Sequence, residues 1–410
     1  MSADQAAESH TPEDEPVDRA LIDAARILIV DDDAFISAMA HAYLEHAGFS
    51  RIETADDGQS CLDRLNDRES EPPDIVILDI RMPVIDGLEV LRQMRADPAL
   101  QDLPVLVTTG LDESAQRNEA IRAGANSLIS KPFDAPLLIE KTRSLLERQV
   151  LIQQLNLYRS RVSQELDMAR ELQLSLLPTE DTIQLVAERY RIRVSSQFHS
   201  SSELAGDFWG VEPLDDNRLA VFMVDIAGHG VAAAANTFRL HEILQSEDMV
   251  SRQPDAFMAQ VNQRFHARIP PGHFATILYG VIDLTADTFT YASAAAPPPL
   301  VGHREAGEPR FLENRGLLAG AIASASYTSY TVPFRPGDYL FLYSDALPEA
   351  MTPEGALLGD DAPAAMLREA LDTNPLSPLL PLLQSFRART VSPLQDDLTL
   401  VFLSREKARP

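Results

Sequence analysis

Residues 26–33 read RILIVDDD, an apolar run that stops abruptly at Asp31, Asp32 and Asp33. A run this short, rich in Ile and Val, reads as a buried strand. Three similar runs follow: DIVILD (74–79), PVLVTT (104–109) and NSLIS (126–130), the last leading into Lys131-Pro132-Phe133. Arg51 to Thr54 supplies a short extra strand, and a helix is expected over Ala34–His46, ending at Gly48. Strands alternating with helices predict an α/β, doubly wound parallel sheet with helices on both faces. Ligands of such sheets sit beyond the carboxyl ends of the strands. Asp31, Asp32, Asp79, Thr109 and Lys131 all lie at or just after strand ends, so this fold gathers them at one edge. Taken singly, each aspartate is most simply a cap or a solvated residue; the set is what points to a site.

The pieces ILIVDDD, VILDIRMPVIDG, PVLVTTG and GANSLISKPF, in this order and spacing, resemble a response-regulator receiver domain over residues 26–143. The resemblance implies that Asp31 and Asp32 hold Mg2+ together with Asp79. It further implies that Asp79 is the phosphoacceptor, attacking a donor phosphohistidine. Crowded carboxylates repel one another unless a cation joins them, and Mg2+ accepts oxygen ligands from few carboxylates while keeping waters. By the same resemblance Thr109 hydrogen-bonds a phosphoryl oxygen and Lys131 places a positive charge beside it. The Lys131-Pro132 bond is expected to be cis. Leu128 stands where the family usually has a Tyr or Phe switch residue, so a hydroxyl is missing there.

C-terminal to this domain, residues 144–178 (SLLERQVLIQQLNLYRSRVSQELDMARELQLSLLP) contain no Gly and no Pro before the last position. Leu155, Val162, Ala169 and Leu176 recur every seven residues, with Ile152, Tyr158, Leu166 and Leu172 at most companion positions. This predicts a coiled-coil-like linker helix whose seam needs cover, either from a second copy, giving a homodimer, or from a neighbouring domain. On the N-terminal side, residues 1–25 are acidic, Pro-containing and poor in large apolar groups, and are expected to form a disordered tail.

Composition bounds the whole. A chain of 410 residues predicts two or three domains, and no stretch approaches the apolar length of a membrane span. One cysteine, Cys61, excludes an internal disulfide framework and fits a reducing cytoplasm. A net charge of -27 disfavours nucleic-acid and acidic-membrane partners.

Residues 183–405 change character. Long apolar strands dominate: RYRIRVSSQF, RLAVFMVDI, FATILYGVID, TFTYASA, SYTVPF, DYLFLYSD and DLTLVFL. Helices are expected over Val231–Gln245 and Pro254–Ile269, with shorter ones after Asp361 and Pro378. This predicts an α+β domain of two stacked antiparallel sheets flanked by helices. Asp207, Asp225, Asp345 and the Asp396-Asp397 pair stand where strands stop, which strand packing does not call for.

The motifs AGDFW, DIAGHG, YASAAAPPPL, GDYLFLYSDALPEA and DDLTLVFL, preceded by ARELQLSLLP, resemble a PPM-type, SpoIIE-like serine/threonine protein phosphatase. The resemblance implies two Mn2+ or Mg2+ ions held by Asp207, Asp225, the Ile226 carbonyl, Asp345 and Asp396. It also implies a tight loop at Gly206, Gly228, His229 and Gly230, with His229 structural, and Trp209 walling the site, though packing alone would account for that residue. Such ions activate a water for in-line hydrolysis of a phosphoester. Ala205, Ala346 and Ala294-Ala295-Ala296 depart from the family pattern of GGD, DG and AGH. The expected function is a cytoplasmic two-component output protein in which Asp79 controls a phosphatase. Its partners are a cognate sensor histidine kinase or phosphotransfer protein and a phosphoserine/phosphothreonine protein. In this branch that substrate is often an anti-sigma-factor antagonist. The alternative is a phosphatase-fold adaptor that sequesters or delivers a partner without turnover.

Overall fold

The computed structural model describes residues 19–67, 69–110, 114–228, 230–246, 252–304 and 306–407. The chain divides into two compact units, and the boundary falls between Arg161 and Val162. The tail expected through residue 25 is helical from Arg19: α1 (Arg19–Asp23) buries Ile22. Ile22 joins Ile27, Leu44 and Phe49 in one apolar cluster, so burial overrides the polar composition of its neighbours.

In the first unit α1 is followed by β1 (Arg26–Val30), α2 (Ala34–His46), β2 (Arg51–Ala55), α3 (Gly58–Asn66) and β3 (Ile75–Asp79). Then come α4 (Gly87–Ala96), β4 (Val105–Thr109), α5 (Ser114–Arg122) and β5 (Ser127–Ser130). The strands form one parallel sheet in the order β2-β1-β3-β4-β5. Alternate residues of β1, Leu28 and Val30 against Ile27 and Ile29, enter apolar clusters on opposite faces. Both faces are covered, which is why the strands read as continuous apolar runs. Cys61 lies in one of these clusters, where burial pushes its thiol up to about 12.

The helix α6 (Ala135–Leu174) runs 40 residues. It begins before Ser144 because the receiver's last helix and the linker are one element, and Leu138, Leu145 and Leu146 pack into the receiver core. It ends at Leu174, short of Pro178.

The second unit continues with α7 (Glu180–Tyr190), β6 (Ile192–His199), β7 (Phe208–Pro213), β8 (Arg218–Ile226), α8 (Val231–Leu244), α9 (Pro254–His266) and β9 (Ala275–Asp283). It is completed by β10 (Thr288–Ala294), β11 (Leu300–His303), β12 (Ala306–Phe311), β13 (Tyr330–Pro333) and β14 (Asp338–Tyr343). Last are α10 (Ala346–Glu349), α11 (Ala362–Thr373), α12 (Leu379–Arg389) and β15 (Leu398–Arg405). Two five-stranded sheets, β13-β10-β9-β8-β7 and β12-β11-β14-β15-β6, stack face to face.

The stacking follows from strand period. In β8, Leu219, Val221 and Met223 meet the other sheet, while Ala220, Phe222, Val224 and Ile226 meet α8 and α9. In β15, Val401 and Leu403 point between the sheets, while Leu398, Leu400 and Phe402 meet α11 and α12.

Three strands escape the sequence reading, β7, β11 and β12, because Gly210, Gly302, Gly307 and Pro309 interrupt their patterns. The run expected as a strand from Arg189 begins instead at Ile192. Arg189 and Tyr190 close α7, which Arg191 ends in the left-handed conformation, φ 56°.

Candidate functional site

In the receiver, the aspartates that end β1 and β3 converge as expected. Asp31, Asp32 and Asp79 each offer an oxygen within 4.8 Å of the others. The third aspartate of the run, Asp33, instead caps α2, accepting from the Phe35 N–H at 2.9 Å. Lys131 Nζ lies 2.6 Å from Asp31 and 2.9 Å from Asp79, and the Lys131-Pro132 bond is cis. Burial foremost, then the charge of Asp31, raises the Asp79 carboxyl above its ordinary range, while Lys131 and the Thr108 hydroxyl oppose this. A carboxylate kept partly uncompensated in this way fits a cation.

The hydroxyl bonded to Asp79 is that of Thr108, at 3.1 Å. Thr109 Oγ1 is buried with no hydrogen-bond partner among the described residues. Leu128 is half-buried against the core cluster beside β4.

In the second unit the aspartates come from four separate strand ends. Asp207 precedes β7, Asp225 lies near the end of β8, Asp345 follows β14, and Asp396 and Asp397 precede β15. Asp207 is 5% exposed and accepts from Thr399 Oγ1 at 2.6 Å. Burial and the charges of Asp225, Asp397 and Asp345 push its carboxyl well above the usual range. Asp225 rises to about 7, through burial and then Asp345, Asp396 and Asp397. Asp345 rises to about 6, through burial, Asp396 and Glu349. Among the described residues no Lys or Arg opposes these shifts, so the carboxylates face one another without a fixed cation, a donor set whose chemistry fits one.

Among the described residues only the receiver triad packs three carboxylates within 4.8 Å.

The loop geometry agrees. A Cβ at Gly206 would lie 2.8 Å from the Ile226 carbonyl oxygen, so only glycine leaves that oxygen open toward the acids. Gly228 and Gly230 have φ of 99° and 76°, as a tight turn requires. His229 lies outside the described residues. Trp209 belongs to the core between the sheets, and packing alone accounts for it; its Nε1 has no partner among the described residues. Of the alanines standing where glycine is usual, Ala205 and Ala346 are not among the positive-φ residues, while exposed Ala295 is, at φ 54°.

Two supports went unread in the sequence. Asp397 accepts from the Ser201 N–H at 2.7 Å and hydroxyl at 3.0 Å, and from the Gly206 N–H at 2.7 Å. Both its oxygens are committed, so Asp397 braces the loop while exposed Asp396 remains the ligand candidate. Gln173, near the end of α6, is 7% exposed and pairs twice with Ala205: Nε2 donates to its carbonyl at 2.7 Å, and its N–H donates to Oε1 at 3.0 Å. Its signal was ARELQLSLLP, a polar residue held between leucines.

The raised carboxyls carry a pH consequence. Asp225 and Asp345 bind protons more tightly folded than unfolded, so below about pH 4 their contribution to stability is intact. It is lost as pH rises through about 6 to 7. The metal-free protein is therefore expected to melt lower at pH 7.5 than a sum over its ordinary surface groups gives, and Mn2+ to raise the melting temperature more at pH 7.5 than at pH 5. Calorimetry with and without Mn2+ checks this; equal gains at the two pH values would contradict it.

Comparison with known proteins places both halves. The family model "Response regulator receiver domain" matches residues 27–143, and that of "Stage II sporulation protein E (SpoIIE)" matches residues 215–406. Response regulator MprA of Mycolicibacterium vanbaalenii is 42% identical over 123 residues, 30% of this chain. The chain spans about half, 51%, of that relative's length. Response regulator MprA of Mycobacterium sp. (strain KMS) is 33% identical over 209 residues, 48% of this chain and 85% of that protein. The SiaA-PP2C domain of Pseudomonas aeruginosa shares the fold, with a TM-score of 0.52 at 22% identity over 60% of this chain and 97% of that one. The chain belongs to the response regulators, and joins a receiver domain to a SpoIIE-type PPM phosphatase domain.

Proposed function

We propose that phosphorylation of Asp79 controls a Mn2+- or Mg2+-dependent phosphatase acting on phosphoserine or phosphothreonine in a protein. The observation that carries this reading is the convergence of Asp207, Asp225 and Asp345 beside Asp396, with burial and mutual repulsion raising the first three and no Lys or Arg among the described residues opposing those shifts. These four, with the Ile226 carbonyl, would hold two ions, and Asp31, Asp32 and Asp79 would hold one Mg2+ in the receiver. When bound, the ion pair supplies a hydroxide at neutral pH and binds phosphate oxygens. Thr399 fixes the Asp207 oxygen, Asp397 and Gln173 hold the Gly206 loop, and the glycine leaves the Ile226 carbonyl open. The resemblance to the SpoIIE branch supports an anti-sigma-factor antagonist or similar signalling protein as the substrate, and a histidine kinase or phosphotransfer protein as the phosphoryl donor. A cytoplasmic setting suits the single buried thiol; no helix among the described residues is long and apolar enough to cross a membrane.

Turnover of para-nitrophenyl phosphate with added Mn2+ tests the hydrolysis. No turnover above a metal-free blank would favour the adaptor reading. Beryllofluoride, which mimics the phosphoryl group on Asp79, is expected to change the rate at least about fivefold, the size of a modest coupling energy. An Asp79→Asn protein should not respond, and an unchanged wild-type rate would remove the coupling.

The linker supports pairing of two copies. Leu151, Ile152, Leu155 and Tyr158 are 53%, 43%, 57% and 67% exposed on α6, an apolar stripe of heptad spacing. Light scattering should give a dimer mass for the wild type and a monomer mass for Leu155→Asp with Val162→Asp. Equal masses would exclude pairing through this seam.

A further inference from the structure

Beside the aspartates, on the Asp397 side, lies a groove of 480 Å3 that takes no part in the scheme above. Its floor is apolar: Leu383, Phe386 and Leu398 are at most 5% exposed and belong to the core beneath α12. One wall is Ser200-Ser201, and Ser201 is itself bonded to Asp397. The stretch Val391–Leu394 divides this groove from a second cavity of 230 Å3 lined by Asp396 and Glu349. A chain lying in the groove therefore runs alongside the acids that would hold the ions.

The lip carries a charge of unusual sign for this molecule. Arg387 is exposed and its one polar partner among the described residues is His199 Nε2, at 3.5 Å, whereas Arg389 two residues on pairs with Glu369 at 2.6 Å. Arg387 has no carboxylate partner among the described residues, in a chain of net charge -27. Burial and the nearby guanidinium hold His199 below the usual imidazole range, so the positive charge at this lip is that of Arg387. An uncompensated guanidinium above an apolar floor complements a peptide that has an acidic residue next to aliphatic ones.

We propose that this groove docks a segment flanking the phosphorylated residue of the protein substrate, with an acidic side chain on Arg387 and aliphatic side chains against the accessible apolar lining of Val391, Pro393 and Leu394. The proposal rests on the phosphatase reading, and deepens it by giving the chemistry of the substrate's flank.

The test uses two fluorescein-labelled, unphosphorylated dodecapeptides, alike except that one carries Asp-Leu-Leu where the other carries Lys-Ser-Ser. Fluorescence anisotropy with the full-length protein should show about tenfold tighter binding of the first. Arg387→Glu should abolish the preference and Arg387→Lys keep most of it, with both variants melting as the wild type does. Equal affinities for the two peptides, or a preference untouched by Arg387→Glu, would overturn the docking site. Wild-type turnover of para-nitrophenyl phosphate judges the phosphatase reading separately. A protein that discriminates the peptides without turnover keeps the groove and loses the hydrolysis.

Discussion

Asp225→Asn is expected to make the metal-free protein more stable while removing its phosphatase activity. At pH 7.5 the wild-type Asp225 is largely ionised among Asp345, Asp396 and Asp397, which together with burial raise it to about 7. Asparagine keeps the shape and removes the charge, so the metal-free protein should gain on the order of 1–3 kcal/mol, a few degrees of melting temperature. Near pH 5 the gain should vanish, because the wild-type carboxyl is then already protonated. Mn2+-dependent turnover should fall at least about 100-fold, since loss of a ligand exceeds the effect of losing an outer support. The two readouts move in opposite directions, which separates a metal ligand from a residue that merely holds the fold. A variant that melts lower than wild type at pH 7.5, or that retains turnover, would refute the assignment.

Gln173→Leu should have the second largest effect, from a residue that touches no proposed ligand. It would leave the buried Ala205 N–H and carbonyl without their partner, at a cost of about 1–3 kcal/mol. Ala205 adjoins Gly206 and Asp207, so a loosened loop should lower Mn2+ affinity or turnover about 10–100-fold, as loss of an outer support does. Gln173→Glu should be worse, because it keeps the acceptor but adds a negative charge near Asp207. Isothermal titration with Mn2+ reads the affinity directly. Wild-type affinity in Gln173→Leu would mean that the end of α6 is only packed there. If the affinity does fall, α6 becomes the natural carrier of receiver control, because the helix that begins in the receiver core ends on the loop of Ala205 and Gly206.

Much of this was legible without coordinates. The parallel sheet followed from apolar runs such as RILIV and DIVILD, because strands covered on both faces contain few polar positions. The receiver acids followed too, since β1 and β3 are neighbours and both end in aspartate. The short strands β7, β11 and β12 were not legible, because local glycine and proline weaken a pattern that the sheet enforces only through its neighbours. Trp209 illustrates the same limit. Its place beside AGD suggests a site wall, yet strand period turns its ring into the core between the sheets.

What the sequence determined by itself was chemistry and order: which carboxylates stand at strand ends, which glycines let a loop turn, and that one uninterrupted helix follows the receiver. These depend on local steric and hydrophobic rules that act within a few residues. The tertiary structure alone decided the division of labour between neighbours of identical type. Asp33 became a cap and Asp397 a brace, while Asp32 turned its carboxylate toward Asp31 and Asp79 and Asp396 stayed exposed at the surface. It was Thr108 that bonded Asp79, and Thr109 that kept an unpaired hydroxyl. Adjacent residues on a strand or at its end point to opposite sides, so their roles depend on which distant backbone each one meets. Gln173 meets Ala205 across 32 residues of chain, and only folding brings them together.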